Sequence, residues 1–420
     1  MRGSCFAWML VCSSVALAQS PVKPASALDD LPPLNLESVP VGDPMLPNGT
    51  TVSQPLTESL PDTPAAIRVV ERGVHTGPIP RSWHSGELLL LRTKSQYIPP
   101  LLMGHRSEVP ILGGPNTLLL LGGGSSNPPG SVGAKFTVGW ALDAEHKRGL
   151  EISYLFTDTQ TSHAEIGPSA WYLGRPVFNP NTGAKDVVPV NTPWMPGRFE
   201  AWASTRIQSW GVTALANLYA GENVRVHGLA GYRYFMVNEG LRFEQSTVFR
   251  GIDTTYRSSS ADQFDAHNRF HGGELGLRTE WDRGRFSVQL DTKVSLGRTV
   301  EVVRISGQTV GVAEGIGGTA TQWFPGGVLG QPSNSGRISQ ANFAVLPEGG
   351  LKLGYQLTER ARFSVGYTVI YLSDAVRPGD QIDRVVDLDQ AGSFIERPLP
   401  QFVRSDYWVQ GLSLGMDWRY

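Results

Sequence analysis

Beyond Trp83 the chain alternates apolar and polar residues with a period of two, in segments of strand length. The final stretch, WVQGLSLGMDWRY, puts Trp408, Leu412, Leu414, Met416, Trp418 and Tyr420 on one face. Val409, Gly411, Ser413, Gly415, Asp417 and Arg419 take the other. A strand this two-faced needs an apolar cover over one side.

Four segments of the same kind read as hairpins with short turns. KFTVGWALD (135 to 143) sets Phe136, Val138, Trp140 and Leu142 against Lys135, Thr137, Gly139, Ala141 and Asp143, and turns into LEISYLFT (150 to 157). SWGVTALANLYA (209 to 220) turns through GEN into VRVHGLAGYRYFMV (224 to 237), where Val224, Val226, Ala230, Tyr232 and Tyr234 oppose Arg225, His227 and Arg233. GGELGLRTEW (272 to 281) turns into RFSVQLDTKVSLG (285 to 297), and FAVLPEGGLKLGYQL (343 to 357) into ARFSVGYTVIYLS (361 to 373).

The connections between hairpins are long: 158 to 200, 238 to 270, 298 to 341 and 374 to 403. Short turns alternating with long loops is the asymmetry of outer-membrane barrels. With a first strand near Ser85 to Thr93 and a last near Arg404 to Tyr420, the hairpins sum to about ten strands. VPILGGPNTLLLL (109 to 121) and TVEVVRISG (299 to 307) would add a pair. The expectation is an all-β, transmembrane, antiparallel up-and-down barrel of about 10–12 strands over residues 81–420, lipid outside and polar lumen inside. Tyr232, Tyr234, Tyr367, Tyr371, Trp281, Trp408, Trp418 and Tyr420, near strand ends, would form interfacial belts. A soluble sandwich burying the same apolar face is the competing architecture.

Composition agrees with many strands and turns: Gly 48, Pro 30, and only 18% charged residues. A formal net charge of -2 gives no reason to expect nucleic acid as a partner. No apolar run reaches the ~18 residues a membrane helix needs, ELLLLR (87 to 92) and NTLLLLGGG (116 to 124) included, so a bilayer could be crossed only by a closed barrel.

The N-terminus carries a positive Arg2, an apolar stretch and an Ala16-Leu17-Ala18 cleavage pattern, which predicts a cleaved signal peptide over 1–18. A lipoprotein signal at Cys12 is the alternative, disfavoured by Val11 before the cysteine. Both cysteines, Cys5 and Cys12, lie inside this leader, so the exported chain would hold no disulfide, thiolate nucleophile or cysteine metal site. Residues 19–80, with a proline every few positions, read as a disordered linker.

RPGDQIDRVVD (377 to 387), RSDYWVQGLSLGMDWRY (404 to 420), GGVLGQPSNSGRISQANFAVLPEGGLKLGYQLT (326 to 358) and GLAGYRYFMVNEGL (228 to 241) together resemble the bacterial outer-membrane β-barrel porin family seven. The resemblance runs from about Trp83 to Tyr420. It implies fold and location rather than a transported solute.

Candidate chemistry lies on the polar face: Arg225, His227, Arg233, Glu274, Arg278, Glu280, Asp291, Lys293, Glu348, Lys352 and Arg362. Such a set either imposes a field on a pore or fills a narrow barrel with ion pairs. Asp380, Asp383, Asp387 and Asp389 do not have the spacing of a calcium loop. Pro378-Gly379 would form a turn, with Arg377 and Arg384 pairing those acids. His267 and His271 are four apart, the spacing of a helix face rather than a strand pair. No HExxH, GxSxG or P-loop motif occurs. Asp158 and His163 could meet at the rim.

These readings lead to a bacterial outer-membrane barrel with a porin-like channel for passive passage of small solutes or ions. A closed structural or surface-interaction barrel with a plugged lumen is the alternative, and a rim enzyme a further one. The partners expected are outer-membrane lipid, the barrel-assembly machinery through the C-terminal strand, and small solutes or ions. No catalytic, cofactor or metal residues are assigned, and no cofactor is called for.

Overall fold

The period-two segments become ten wall strands: β1 (Ser82–Thr93), β2 (Ser131–Ala141), β3 (Arg148–Thr157), β4 (Gly197–Ala220), β5 (Val224–Arg250), β6 (Thr254–Arg283), β7 (Phe286–Gly315), β8 (Gly336–Gln356), β9 (Ala361–Val376) and β10 (Arg404–Arg419). This computed structural model describes residues 81–126, 130–145, 147–387 and 396–420. The expected signal peptide and linker, 1–18 and 19–80, lie outside the described residues, as does Asp389.

Each wall strand pairs antiparallel with its neighbour in sequence, and β10 pairs back on β1, so the sheet closes as an up-and-down barrel. Closure runs through Leu88 opposite Leu414, and the Tyr420 amide donates to the Ser82 carbonyl at 2.9 Å. At the level where the ring closes each of the ten wall strands is paired on both sides, which lipid demands. The sheet has twelve strands; the other two, Gln160–Ile166 on β4 and Gly318–Pro325 on β7, extend the wall.

The four turns at one end are short. Gly284, at φ 62, makes the β6–β7 turn with Arg285, a conformation that glycine adopts without strain. At the other end the wall continues far beyond a bilayer. β6 and β7 are 30 residues each, whereas a tilted strand crosses the hydrocarbon in about 9–11.

The ring has ten strands, within the expected 10–12; the possible extra pair does not join it, because 299 to 307 is the upper part of β7 and Leu118–Leu121 joins a separate four-stranded sheet with Leu102–His105, Tyr172–Asn179 and Ala184–Asn191. One expectation changes. The stretch 238 to 270, read as a connection, is strand through Arg250 and again from Thr254. Its alternation was hidden because the apolar residues there change faces.

On β6 the outward residues run Trp281, Leu277 and Leu275, then His271, Arg269, His267 and Asp265. The inward ones run Glu280, Arg278 and Glu274, then Phe270, Ala266 and Phe264. Outward Leu290, Val294 and Leu296 of β7 give way to Arg298 and Arg304 at the same height. The outward apolar band is therefore confined to the short-turn half, as a lipid belt is.

Candidate functional site

Every charged residue that the alternation assigned to the lumen faces it. In the lower half Arg278 donates to Glu151 at 2.8 and 3.2 Å and to Asp291 at 2.7 Å. Arg233 meets Glu348 at 2.5 Å and Lys293 meets Glu274 at 3.2 Å. Lys352 donates to Glu87 at 2.8 Å, and Arg225 bridges Glu280 and Asp282. Arg362 donates to the Ser287 hydroxyl at 2.7 Å and lies 3.7 Å from Asp417.

This lattice of ion pairs ties strands across the lumen and lines a cavity of about 160 Å³ that also meets Lys135 and His227. Trp83 belongs to it. Its ring lies across Gly139, where a Cβ would come within 2.0 Å of the indole, and its Nε1 donates to Glu151 at 3.2 Å.

Above the ion pairs the lumen turns apolar. Leu89, Leu91, Leu155, Ile207, Phe235, Val237, Phe270, Leu346, Ile370, Leu372, Tyr407 and Val409 form one buried cluster, drawn from β1, β3, β4, β5, β6, β8, β9 and β10. The cluster draws on eight of the ten wall strands, and an apolar layer of that kind disfavours ions and water at its level.

Higher still, the long loops fold into the mouth. Leu101 and Leu102, Leu173 and Val177, Val190, Val328 and Leu329, Val376 and Val386 pack on the inner wall at Phe199, Leu241, Phe243, Phe264 and Ile305. Three polar clamps hold this plug. Arg377 donates to both Glu239 oxygens at 2.6 and 2.8 Å and to the carbonyls of Ser95 and Lys94 at 2.7 and 3.0 Å. Asn268 exchanges two 2.8 Å bonds with the Val376 backbone. Asp262 accepts from the Leu329 and Gly330 amides at 2.8 Å and lies 2.8 Å from Arg175.

Arg377 corrects an expectation: it does not serve the aspartates beside it, because Glu239 across the barrel gives a bidentate partner in a buried setting. Pro378–Gln381 is a single 3-10 turn. Asp383 is held by Arg397 at 3.2 Å and the Leu399 amide at 3.0 Å rather than by Arg384, and Asn181 donates to Asp387 at 2.8 Å. Burial holds the Asp380 carboxyl above its ordinary range, against the pull of Arg377.

The rim pair does not form through its hydrogen bonds: Asp158 accepts from the Thr159 amide, whereas His163 pairs with Glu200 at 3.2 Å and stacks on Trp202. Sequence reasoning missed that His163, Glu165 and Glu200 converge within 4.8 Å on the outer wall. Strand register is the signal, since Glu165 lies opposite Glu200. Arg198 sits 3.2 Å from Glu165 and 3.7 Å from Glu200, so its guanidinium offsets part of the charge of the two carboxylates. His267 and His271 both face outward on β6, bonded to Asn238 at 2.9 Å and Tyr232 at 2.7 Å.

The family model described as Putative beta barrel porin-7 matches residues 83–420. That range is the whole barrel, and it locates the chain among outer-membrane barrels. No curated protein sequence matches. Among solved structures, the outer membrane protease OmpT from Escherichia coli is 10% identical, with 83% of this chain and 100% of that one covered at a TM-score of 0.41. A Pseudomonas aeruginosa FadL homologue is 9% identical, covering 80% and 90% at 0.21. The P. putida toluene transporter TodX is 8% identical, covering 83% and 91% at 0.21. The functional reading therefore rests on the residues.

Proposed function

We propose, from the premise that this chain belongs to the beta barrel porin-7 family, that it is a closed, non-enzymatic outer-membrane barrel that works through its extracellular face. The observation that carries this reading is the apolar layer across the lumen, from Leu89 to Val409. It lies between the ion-pair lattice below and the clamped plug above. Passive passage of solutes or ions needs a polar or hydrated path, and the apolar layer and the packed plug above it oppose one. The small cavity is a recess open toward the short-turn end.

The terminal strand is also the segment offered to the assembly machinery in this reading, since its pairing with β1 closes the ring. Its aromatic face, through Trp418 and Tyr420, is outward and available until lipid covers it.

Planar-bilayer recording of the folded, heat-modifiable full-length protein tests closure. The expected trace is silent. Discrete conductance steps from the wild-type barrel would overturn the proposal. Replacing Phe235, Phe270 and Leu346 together by glycine is expected to introduce them.

A further inference from the structure

Immediately above the lipid-facing band, on the outer surface of β4 to β8, five arginines are exposed: Arg206, Arg269, Arg298, Arg304 and Arg337. Register makes two pairs of them neighbours, with Arg206 set apart on β4: Arg304 lies opposite Arg337, and Arg298 lies two residues along β7 from Val300, the partner of Arg269. Arg206, Asn238, His267, Val302 and Ser339 form one row across the strands. His271, Arg298 and Phe343 form another, and Asp265, Arg304 and Arg337 a third. Arg269 lies two residues along β6 from both His267 and His271.

Among the described residues none of these five guanidiniums has a carboxylate within 4.0 Å, although most other wall arginines do. The one acid in the rows, Asp265, accepts from Gln263 at 2.8 Å. Four of these charges, Arg269, Arg298, Arg304 and Arg337, lie on adjacent strands and outnumber the one carboxylate among them, Asp265. Such an arrangement is repulsive unless an anion joins it.

The height of the patch identifies the anion. In the row of Arg298, its lowest member, Trp210, Tyr234 and His271 pack with Tyr232 into an aromatic group, with Trp210 and Tyr234 centroids 5.8 Å apart and Tyr234 and His271 4.9 Å apart. Aromatic girdles of this kind mark the level where hydrocarbon meets headgroups. Arg298 follows the outward Leu296 by two residues, roughly 7 Å of strand, and Arg304 by eight, roughly 27 Å. The charges thus climb away from the membrane edge as a ladder.

We propose that this face binds the headgroup of an outer-leaflet lipid that carries more than one phosphate on an extended, sugar-like scaffold. Arg269 and Arg298 take the phosphate nearest the acyl chains, and Arg304 and Arg337 take one farther out. Guanidinium forks suit phosphate oxygens, and the aromatic group beside Arg298 supports the first acyl chains. The inference rests on the barrel and its lipid band, and holds whether or not the lumen conducts.

The test uses full-length protein refolded in neutral detergent, with fold checked by heat modifiability. Retention of diphosphoryl lipid A, monophosphoryl lipid A and phosphatidylcholine is read by native mass spectrometry. The wild type is expected to retain diphosphoryl lipid A best and phosphatidylcholine least, with retention falling as salt rises. Joint substitution Arg269→Ala, Arg298→Ala, Arg304→Ala and Arg337→Ala should weaken diphosphoryl lipid A on the order of a hundredfold, each basic group contributing a factor of a few. The corresponding lysine variant should recover most of the charge-driven part.

Equal retention by the alanine variant and the wild type would overturn the proposal. So would equal retention of phosphatidylcholine, or displacement by inorganic phosphate at the lipid's own concentration, which would mark a free-anion site. A conductance measured on the same sample reports on the closed lumen separately.

Discussion

The lower and upper halves of this barrel are built from the same strands with opposite polarity. Near the short turns, β6 shows Leu275, Leu277 and Trp281 outward and Glu274, Arg278 and Glu280 inward. Farther up, the outward face carries Arg269, His267 and Asp265, and the inward face Phe270, Ala266 and Phe264. Backbone pairing is continuous through the switch. What changes is the solvent on each side: lipid below, water above, with folded loops as the interior fill where lipid ends. A strand in this chain records its surroundings in its faces and not in its hydrogen bonds.

The sharpest way to break the upper half is to remove one partner of its deepest ion pair. Arg377 and Glu239 are both essentially inaccessible, and burial opposes the guanidinium charge while Glu239 more than restores it, holding the proton more tightly than usual. Arg377→Ala leaves a carboxylate stranded and frees the Ser95 and Lys94 carbonyls, with an expected loss of about 3–5 kcal/mol. Replacing both, as Arg377→Met with Glu239→Leu, should restore most of it. Urea unfolding of the lipid-reconstituted barrel reads both. If the single and double variants lose the same stability, the pair is not what holds the plug.

A smaller effect separates the halves directly. Leu290 and Ser306 share the outward face of β7, the first within the apolar band and the second above it. Leu290→Arg puts a charge against hydrocarbon and should cost about 2–4 kcal/mol in the same unfolding measurement. Ser306→Arg places that charge in water and should stay within about 0.5 kcal/mol. Similar costs at the two sites would mean that the lipid boundary does not fall between them.

The sequence made the lower half legible because there the rule is simple. Each lumen charge named from alternation, from Arg225 to Arg362, faces inward, and the closing strand pairs where its faces require. The upper half defeated the same reasoning. Residues 238 to 270 alternate as regularly, but their apolar set belongs to the other face, so the segment read as loop. Arg377 looked like the counter-ion of nearby aspartates because sequence shows only local neighbours, whereas Glu239 reaches it by barrel curvature. The apolar cluster was invisible for a related reason: Leu89, Leu155 and Val409 sit where a polar lumen residue was expected, with only a few such residues on any strand, and become a layer only when the ring closes.

The smallest expected effect concerns acid. Above the lipid band, burial and then the nearby Asp374 raise the Glu301 carboxyl above its usual range, although it accepts from Asn342 at 3.0 Å and Arg404 at 3.1 Å. A carboxyl raised on folding binds its proton more readily in the folded state, so folding gains stability as pH falls through the folded value toward the unfolded 4.5. Asp406 opposes this: its hydrogen bond from Lys94 lowers it, so its contribution is present above 3.8 and lost as pH falls through the depressed folded value. Between neutral pH and about 4.5 the Glu301 effect operates while the Asp406 contribution stays constant, and Asp374 and Asp380, also raised by burial, add in the same sense as Glu301. Amides near Val302 and Gln340 should therefore exchange more slowly, after correction for intrinsic rates, by less than about 1 kcal/mol of opening energy once screening is counted. Glu301→Gln should reduce that slope while leaving the amides of β7 near Leu290 unchanged, because the lower half answers to lipid rather than to bulk proton activity.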